Sequence, residues 1–308
     1  MKIVECVPNF SEGRREEVVD EIVNEIAQSG VKILDVGMDP DHNRSVITFA
    51  GESEKVKEGA FLGVKKAKEL IDLNSHKGKH PRIGACDVVP FIPINCKMED
   101  CAKAARGLGE RIWRELRVPI YFYEDAAIRP GRKKLEAIRK GGFERLKEEV
   151  KEKKRMPDLG DEIHPTAGAV AVGARKPLIA YNVYLKNGDE KEAKRIARKV
   201  RESSGGLKNV KAIGLTCGGR PQVSTNLVDF EQTPIYRVVE EIEKYGEIEE
   251  SELVGLIPEK ALLDSAYHYL KLRIDEGKIL ERKLGSLINL KSLSGSGESL
   301  EGGLRKKS

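Results

Sequence analysis

Apolar and polar positions along the first 125 residues alternate between two rhythms. Lys2-Ile3-Val4-Glu5-Cys6-Val7 reads as a strand that breaks at the polar turn Pro8-Asn9-Phe10-Ser11-Glu12-Gly13. Ser11 stands where it could cap the following helix. Val18, Val19, Ile22, Val23 and Ile26 recur at helical spacing, and Gly30 closes that helix. Val31 to Val36 and Ser45 to Ala50 read as strands, with an acid-rich loop, Asp35 to Arg44, between them. Glu54 to Leu73 is a long helix with Val56, Ala60, Val64, Ala67 and Ile71 on one face. The run Val88-Val89-Pro90-Phe91-Ile92-Pro93 fits a buried strand, Met98 to Leu116 a helix and Val118 to Tyr123 a strand. This alternation predicts an α/β layer with helices packed on a sheet.

The pattern then changes. Residues 128 to 160 carry Arg129, Arg132, Lys133, Lys134, Arg139 and Lys140 between short helical patches, and Lys147 to Arg155 is nearly all charged. A solvated helical connector is expected there. A loop, Asp161 to Gly168, leads into the small-residue strand Ala169 to Gly173, and Ala174-Arg175-Lys176 separates it from an apolar strand, Pro177 to Leu185. Glu190 to Arg201 reads as a helix, Val210 to Leu215 as a strand, and Gln222 to Phe230 as a polar strand-like segment. Thr233-Pro234 is a cap followed by proline at the first helical position, opening a helix to Tyr245. Leu253 to Ile257 is expected as a strand and Pro258 to Tyr269 as a helix. The Gly/Ser-rich, basic tail from Ser292 is expected to be mobile.

At 308 residues the chain exceeds the size at which one core keeps growing, so two domains or subdomains are expected. The net charge is +5, but acids and bases are interspersed. There is no basic tract interleaved with aromatics, which argues against a nucleic-acid partner. The positive balance suits a polyanionic small substrate. Five cysteines without a CxxC pair fit reduced thiols in a cytoplasm, and no apolar run suggests export or a membrane span.

The chemistry concentrates in His76-Lys77-Gly78-Lys79-His80-Pro81-Arg82-Ile83-Gly84-Ala85-Cys86-Asp87. Two of the five histidines stand four residues apart, beside an arginine and an aspartate. A histidine there could move protons near neutrality. His76, His80 and Asp87 could supply three metal ligands, but an HxxxH pair needs a helix, and Gly78 and Pro81 oppose one, so no metal is expected. His76 could equally be a packing residue. Cys86 and Cys217 are expected as core cysteines rather than nucleophiles. Asn43-Arg44 and Arg175-Lys176 read either as surface charges or as cations for a bound carboxylate. Gly218-Gly219-Arg220 matches no phosphate loop, so nucleotide binding is unsupported.

Taken together, six segments resemble the glutamate formimidoyltransferase family, the formiminotransferase half of bifunctional formiminotransferase-cyclodeaminases. They are Val4 to Gly13, Asn43 to Val46, His76 to Ala85, Gly173 to Lys176, Gln222 to Leu227 and Val254 to Asp264. The resemblance runs from residue 3 to about 285, and the chain stops where the family's cyclodeaminase domain would begin, so that second activity is not expected. It implies two α/β sandwich subdomains with mixed sheets facing each other across a substrate cleft. The expected division is residues 1–177 and 178–290, with a flexible tail at 291–308.

The resemblance also implies an activity: transfer of a formimidoyl group between N-formimidoyl-L-glutamate and tetrahydrofolate in histidine degradation, by a cytoplasmic homodimer. Tetrahydrofolate is then a co-substrate, and no metal is needed. By resemblance His80 is the proton shuttle. The folate loop falls on Gly160, Asp161, Glu162, Ile163, His164, Pro165, Thr166, Ala167 and Gly168. Arg44, Arg82, Arg175 and Lys176 are the candidates for substrate carboxylates. Competing readings are ATP-dependent cyclisation of 5-formyltetrahydrofolate, a non-catalytic folate-binding protein and a metal-dependent hydrolase.

Overall fold

A computed structural model of the chain describes residues 1–78, 81–272 and 279–280. His80, the expected proton shuttle, and the expected tail at 291–308 lie outside the described residues.

The described residues build two sheets, each with its own core. The first is mixed. Its strands are β1 (Ile3–Cys6), β2 (Asn9–Phe10), β3 (Lys32–Asp39), β4 (Arg44–Glu52), β5 (Cys86–Pro93), β6 (Ile120–Glu124) and β7 (Val170–Ala174). β1 and β2 run end to end between β4 and β5 and pair antiparallel with both. β3 flanks β4 antiparallel, while β5, β7 and β6 are parallel. Parallel strands need crossovers, which helices supply.

Three helices, α1 (Glu16–Ala27), α2 (Ser53–Leu70) and α3 (Met98–Leu116), cover one face. Their apolar stripes, such as Val18, Ile22 and Ile26 of α1, meet Phe49, Val89, Phe91 and Phe122 of the sheet. Side chains alternate faces along a strand, so Val88, Tyr121, Tyr123, Ala169 and Ala171 point the other way. There they meet α4 (Leu135–Arg139) and α5 (Gly142–Lys151).

That second layer corrects the solvated connector expected for residues 128 to 160. Ile138, Phe143, Leu146 and Val150 are buried, although charged neighbours surround them in sequence. The charges occupy the outer faces of two short helices and mask their inner stripe.

The second sheet is antiparallel, in the order β11 (Ile248–Val254), β8 (Ile179–Leu185), β10 (Arg220–Leu227), β9 (Val210–Cys217). Ile179, Tyr181, Val183 and Leu185 face α6 (Glu190–Val200) and α7 (Ile235–Glu243), and Ala261 of α8 (Glu259–Leu270) joins that core. The opposite face is polar. Asn182 Nδ2, Tyr184 Oη and Gln222 Nε2 all donate to Glu252 Oε1, at 3.0, 3.1 and 3.3 Å. The two sheets place the protein in the α/β class, as expected.

Other expectations shift. β11 starts at Ile248, not Leu253, because an edge strand tolerates the acidic run Glu249-Glu250. β3 runs through Asp39 and takes the first half of the loop expected from Asp35. Neither expected cap forms. The Ser11 hydroxyl donates to Gly84 O at 2.7 Å, and α1 begins only at Glu16. The Thr233 hydroxyl donates to Lys208 O. Among the described residues no helix is long and apolar enough to cross a membrane.

Leu146 lies fully buried in the second layer. Leu146→Ala should therefore cost about 2–5 kcal/mol, read by urea unfolding with the fluorescence of Trp113, the single tryptophan. A solvated connector would give almost no change.

Candidate active site

At one end of the first sheet, Phe10, Ser11, His42, Asn43, Arg44, His76, Arg82 and Asp87 line a pocket. They come from β2 and the turn after it, the β3–β4 turn and the start of β4, the loop before β5, and β5 itself.

Asn43 ties three of these together. It adopts a left-handed φ of 49°, which asparagine tolerates better than most residues. Its Oδ1 accepts from Gly13 N at 3.0 Å, and its Nδ2 donates to Lys77 O at 3.2 Å. Its carbonyl accepts from His76 Nε2 at 2.8 Å. Gly78 is required here, because a Cβ would fall 2.1 Å from the His42 carbonyl.

The partners of His76 assign its tautomer. Arg82 Nε donates to Nδ1 at 2.9 Å, so Nε2 carries the proton given to Asn43 O. Burial and the Arg82 charge lower its pKa, against the raising effect of the Asn43 bond. His76 is thus a neutral positioning group with both nitrogens engaged.

Arg82 is engaged as well. Its guanidinium pairs with both carboxylate oxygens of Glu144 on α5, at 2.8 and 3.0 Å. That bond lowers the Glu144 pKa.

Behind the pocket Asp87 is 2% exposed. It accepts from Ile83 N at 2.8 Å and forms an ion pair with Arg139. Arg139 did not stand out in the sequence, because it lies 52 residues away in the charged segment. Arg44 lies beside this pair. Its Nε is buried and meets no hydrogen-bond partner among the described residues. Burial, and then repulsion from Arg139, push its pKa down to about 10. Asp87 and Asp39 offset part of this drop, and an incoming anion would add to their effect.

The other cations lie elsewhere. Lys176 pairs with Asp229 at 2.7 Å. Arg175 Nη1 donates to Lys176 O, and its charge lowers the pKa of Glu5, which burial raises. Cys86 is buried and Cys217 half-buried, and burial raises both thiol pKa values.

The loop Gly160 to Gly168 is zipped to the segment that carries the pocket. Leu73 N donates to Thr166 O, Ala85 N to Ala167 O and Ala169 N to Ile83 O, each at 2.9 Å. Asn74 Nδ2 donates to Pro165 O at 3.0 Å. His164 Nδ1 accepts from Ala167 N at 3.0 Å, closing the turn on itself. Gly168, at φ +71, sits where a Cβ would strike Ile83 O at 2.1 Å. Asp161, Glu162 and Pro165 are exposed, and Ile163 is half-buried.

Fold and pocket together define a two-sheet α/β protein with a cationic, histidine-lined pocket. Comparison with known proteins makes this class specific. Residues 3–175 match the formiminotransferase domain, N-terminal subdomain, and residues 180–291 match the formiminotransferase domain. A glutamate formimidoyltransferase of Thermoplasma acidophilum is 49% identical, over 94% of this chain and 100% of its own length. A Streptococcus pyogenes protein of the same name is 47% identical over 88% of this chain and 94% of its own length. The mouse formimidoyltransferase-cyclodeaminase is 46% identical over 87% of this chain, which spans 52% of that protein. The chain belongs to the formiminotransferase family, which makes it a transferase.

Glu12, beside the pocket, offers a test of the local electrostatics. It is 4% exposed, and its carboxylate accepts from Arg14 N and Arg15 N at 2.9 and 3.0 Å and pairs with the Arg15 side chain. Burial raises its pKa, but these bonds outweigh burial and leave it below 4.5. A depressed carboxylate stabilises the fold above its unfolded pKa, and that stability is lost as pH falls through the folded value. Glu12→Gln should thus cost about 1–3 kcal/mol at pH 7, with the gap to wild type closing below about pH 4.5 in thermal melts. A gap independent of pH would contradict the assignment.

Proposed function

We propose that the protein transfers the formimidoyl group between N-formimidoyl-L-glutamate and tetrahydrofolate, with the pocket at Arg44 as the seat of the glutamyl moiety. The observation that carries this reading is the buried Arg44 Nε, without a hydrogen-bond partner among the described residues, in a pocket of a formiminotransferase-family chain. Of the four cations expected to meet carboxylates, Arg82 and Lys176 already hold Glu144 and Asp229. Arg44 is therefore the first contact for a substrate carboxylate, and Arg175 is kept as a second. Arginine suits the role because its planar fork matches a carboxylate in two bonds.

His80 is proposed as the group that takes a proton from folate N5 and returns it to a leaving nitrogen. The pinned residues Gly78 and Pro81 flank its two-residue segment in sequence. The loop Gly160 to Gly168 is proposed as the folate contact, with the polar face of the second sheet opposite. The reading divides the chain at residues 177 and 178 and takes the sheets to face each other across the cleft. It carries a cytoplasmic homodimer, tetrahydrofolate as co-substrate and no metal. Holding both substrates together supplies much of the rate.

Turnover of purified protein with both substrates tests this. Wild type should form 5-formimidoyltetrahydrofolate. Arg44→Lys should raise KM for formimidoylglutamate about tenfold or more with a smaller effect on KM for folate, as expected for loss of a charge-assisted bidentate bond. His80→Ala should lose about 100-fold or more in kcat. Equal activity in all three would overturn the residue roles, and an inactive wild type would overturn the reaction.

A further inference from the structure

Two cysteines meet at the entry of α3, and neither lines the pocket. Lys97 is the residue before the helix, and its backbone N–H donates to Asp100 Oδ2 at 3.2 Å. Cys96 precedes Lys97, and Cys101 is the fourth helical residue. These are the two positions that pack on each other in a hydrophobic staple. Here the staple is made of thiols. Cys96 Sγ and Cys101 Sγ lie 3.8 Å apart, within hydrogen-bond distance for sulfur. A disulfide needs about 2.05 Å, so closure asks the two sulfurs to approach by about 1.8 Å.

The two sulfurs differ in access. Cys101 is fully buried in the core under α3. Cys96 is half-buried between two exposed residues, Asn95 and Lys97. Burial, and then the contact with Cys96, raise the Cys101 pKa, so Cys101 keeps its proton while Cys96 is a free thiol. Cys6 and Cys86 lie deep in the core, and Cys217 stands on the other sheet.

The loop that carries Cys96 also holds the first strand. Ile94 N and Asn95 N donate to Ile3 O at 3.3 and 3.4 Å, and Ile3 N donates to Asn95 Oδ1 at 2.6 Å. Cys96 Sγ donates to the same Ile3 carbonyl at 3.6 Å, and Lys2 Nζ pairs with Asp100 at 2.7 Å. The start of β1 is thus fastened to the start of α3 through the segment between the two thiols.

We propose that Cys96 and Cys101 are a redox-sensitive pair, which closes to a disulfide when a low-molecular-weight disulfide reaches Cys96. Cys96 gives its proton to solvent, and its sulfur bonds to one sulfur of the oxidant. The oxidant's S–S bond breaks, and its other half takes up a proton and leaves as a thiol. Capping Cys96 removes the thiol contact that helps to hold the proton on Cys101. Cys101 then loses that proton, its sulfur bonds to Cys96 Sγ, and the second half of the oxidant leaves as a thiol. Two protein thiols give up two electrons, and one disulfide is reduced to two thiols. The product is a covalent form of the staple at the head of α3.

The test uses the full-length protein, reduced and then incubated with glutathione disulfide in the absence of denaturant. The protein is next unfolded in an alkylating reagent and weighed by mass spectrometry. All five cysteines should take the label before oxidation, and two fewer after it. Trypsin cuts after Lys97, so Cys96 and Cys101 should appear on separate peptides joined by the new bond. Cys101→Ala should stop at the mixed disulfide, with one glutathione on Cys96. Cys96→Ser should keep every remaining thiol, and Cys217→Ser should close the pair as wild type does. Cys96 is on a loop, so Cys96→Ser carries the test if Cys101→Ala fails to fold by thermal melt. Five labelled thiols after oxidation, glutathione retained on wild-type Cys96 without closure, or a bond to another cysteine would overturn the proposal and leave the two thiols as a packing staple alone.

Discussion

The site depends on a charge imbalance around one buried carboxylate. Asp87 is almost sealed from solvent and does two jobs at once: it holds Ile83 N and it neutralises Arg139. That leaves Arg44 beside the pair with a buried Nε that meets no hydrogen-bond partner among the described residues. A buried guanidinium N–H without an acceptor is costly, and removing Asp87 beside it would be costlier still. The pocket is therefore stable only because Asp87 is where it is, and it favours a ligand that brings a carboxylate. In the proposed reading, substrate recognition and fold stability meet in the same three side chains.

The rest of the first sheet supports that arrangement. Asn43 fastens the turn after β2 to the loop before β5, and His76 with Arg82 carries the fastening on to Glu144 of α5. The second helical layer reaches the pocket's lining, since it brings Arg139 to Asp87 and Glu144 to Arg82. The Gly160 to Gly168 loop is held by backbone bonds, which leaves its exposed side chains available for contact with a ligand. A rigid wall of this kind suits a transfer in which two substrates must meet in a fixed geometry.

Much of the fold was legible from periodicity. The stripe of α1, the buried run of β5 and the face of α2 all appear where apolar spacing puts them. The misses have physical causes. Glutamates along β11 conceal an edge strand, and charges around Phe143 and Leu146 conceal a packed layer. Ser11 looked like a cap because a serine precedes a helix, but its hydroxyl is taken by Gly84 O, a partner 73 residues away. The site was half legible. The histidine loop and Arg44 stood out as local motifs, whereas Arg139 and Glu144 become visible only once distant segments meet.

The measurement that bears most directly on this account is a crystal structure of the protein bound to N-formimidoyl-L-glutamate. The account predicts a substrate carboxylate within hydrogen-bond distance of the Arg44 guanidinium, with Asp87 still holding Arg139 and Ile83 N. A ligand bound with both carboxylates away from Arg44, and Arg44 Nε still without a partner, would contradict it.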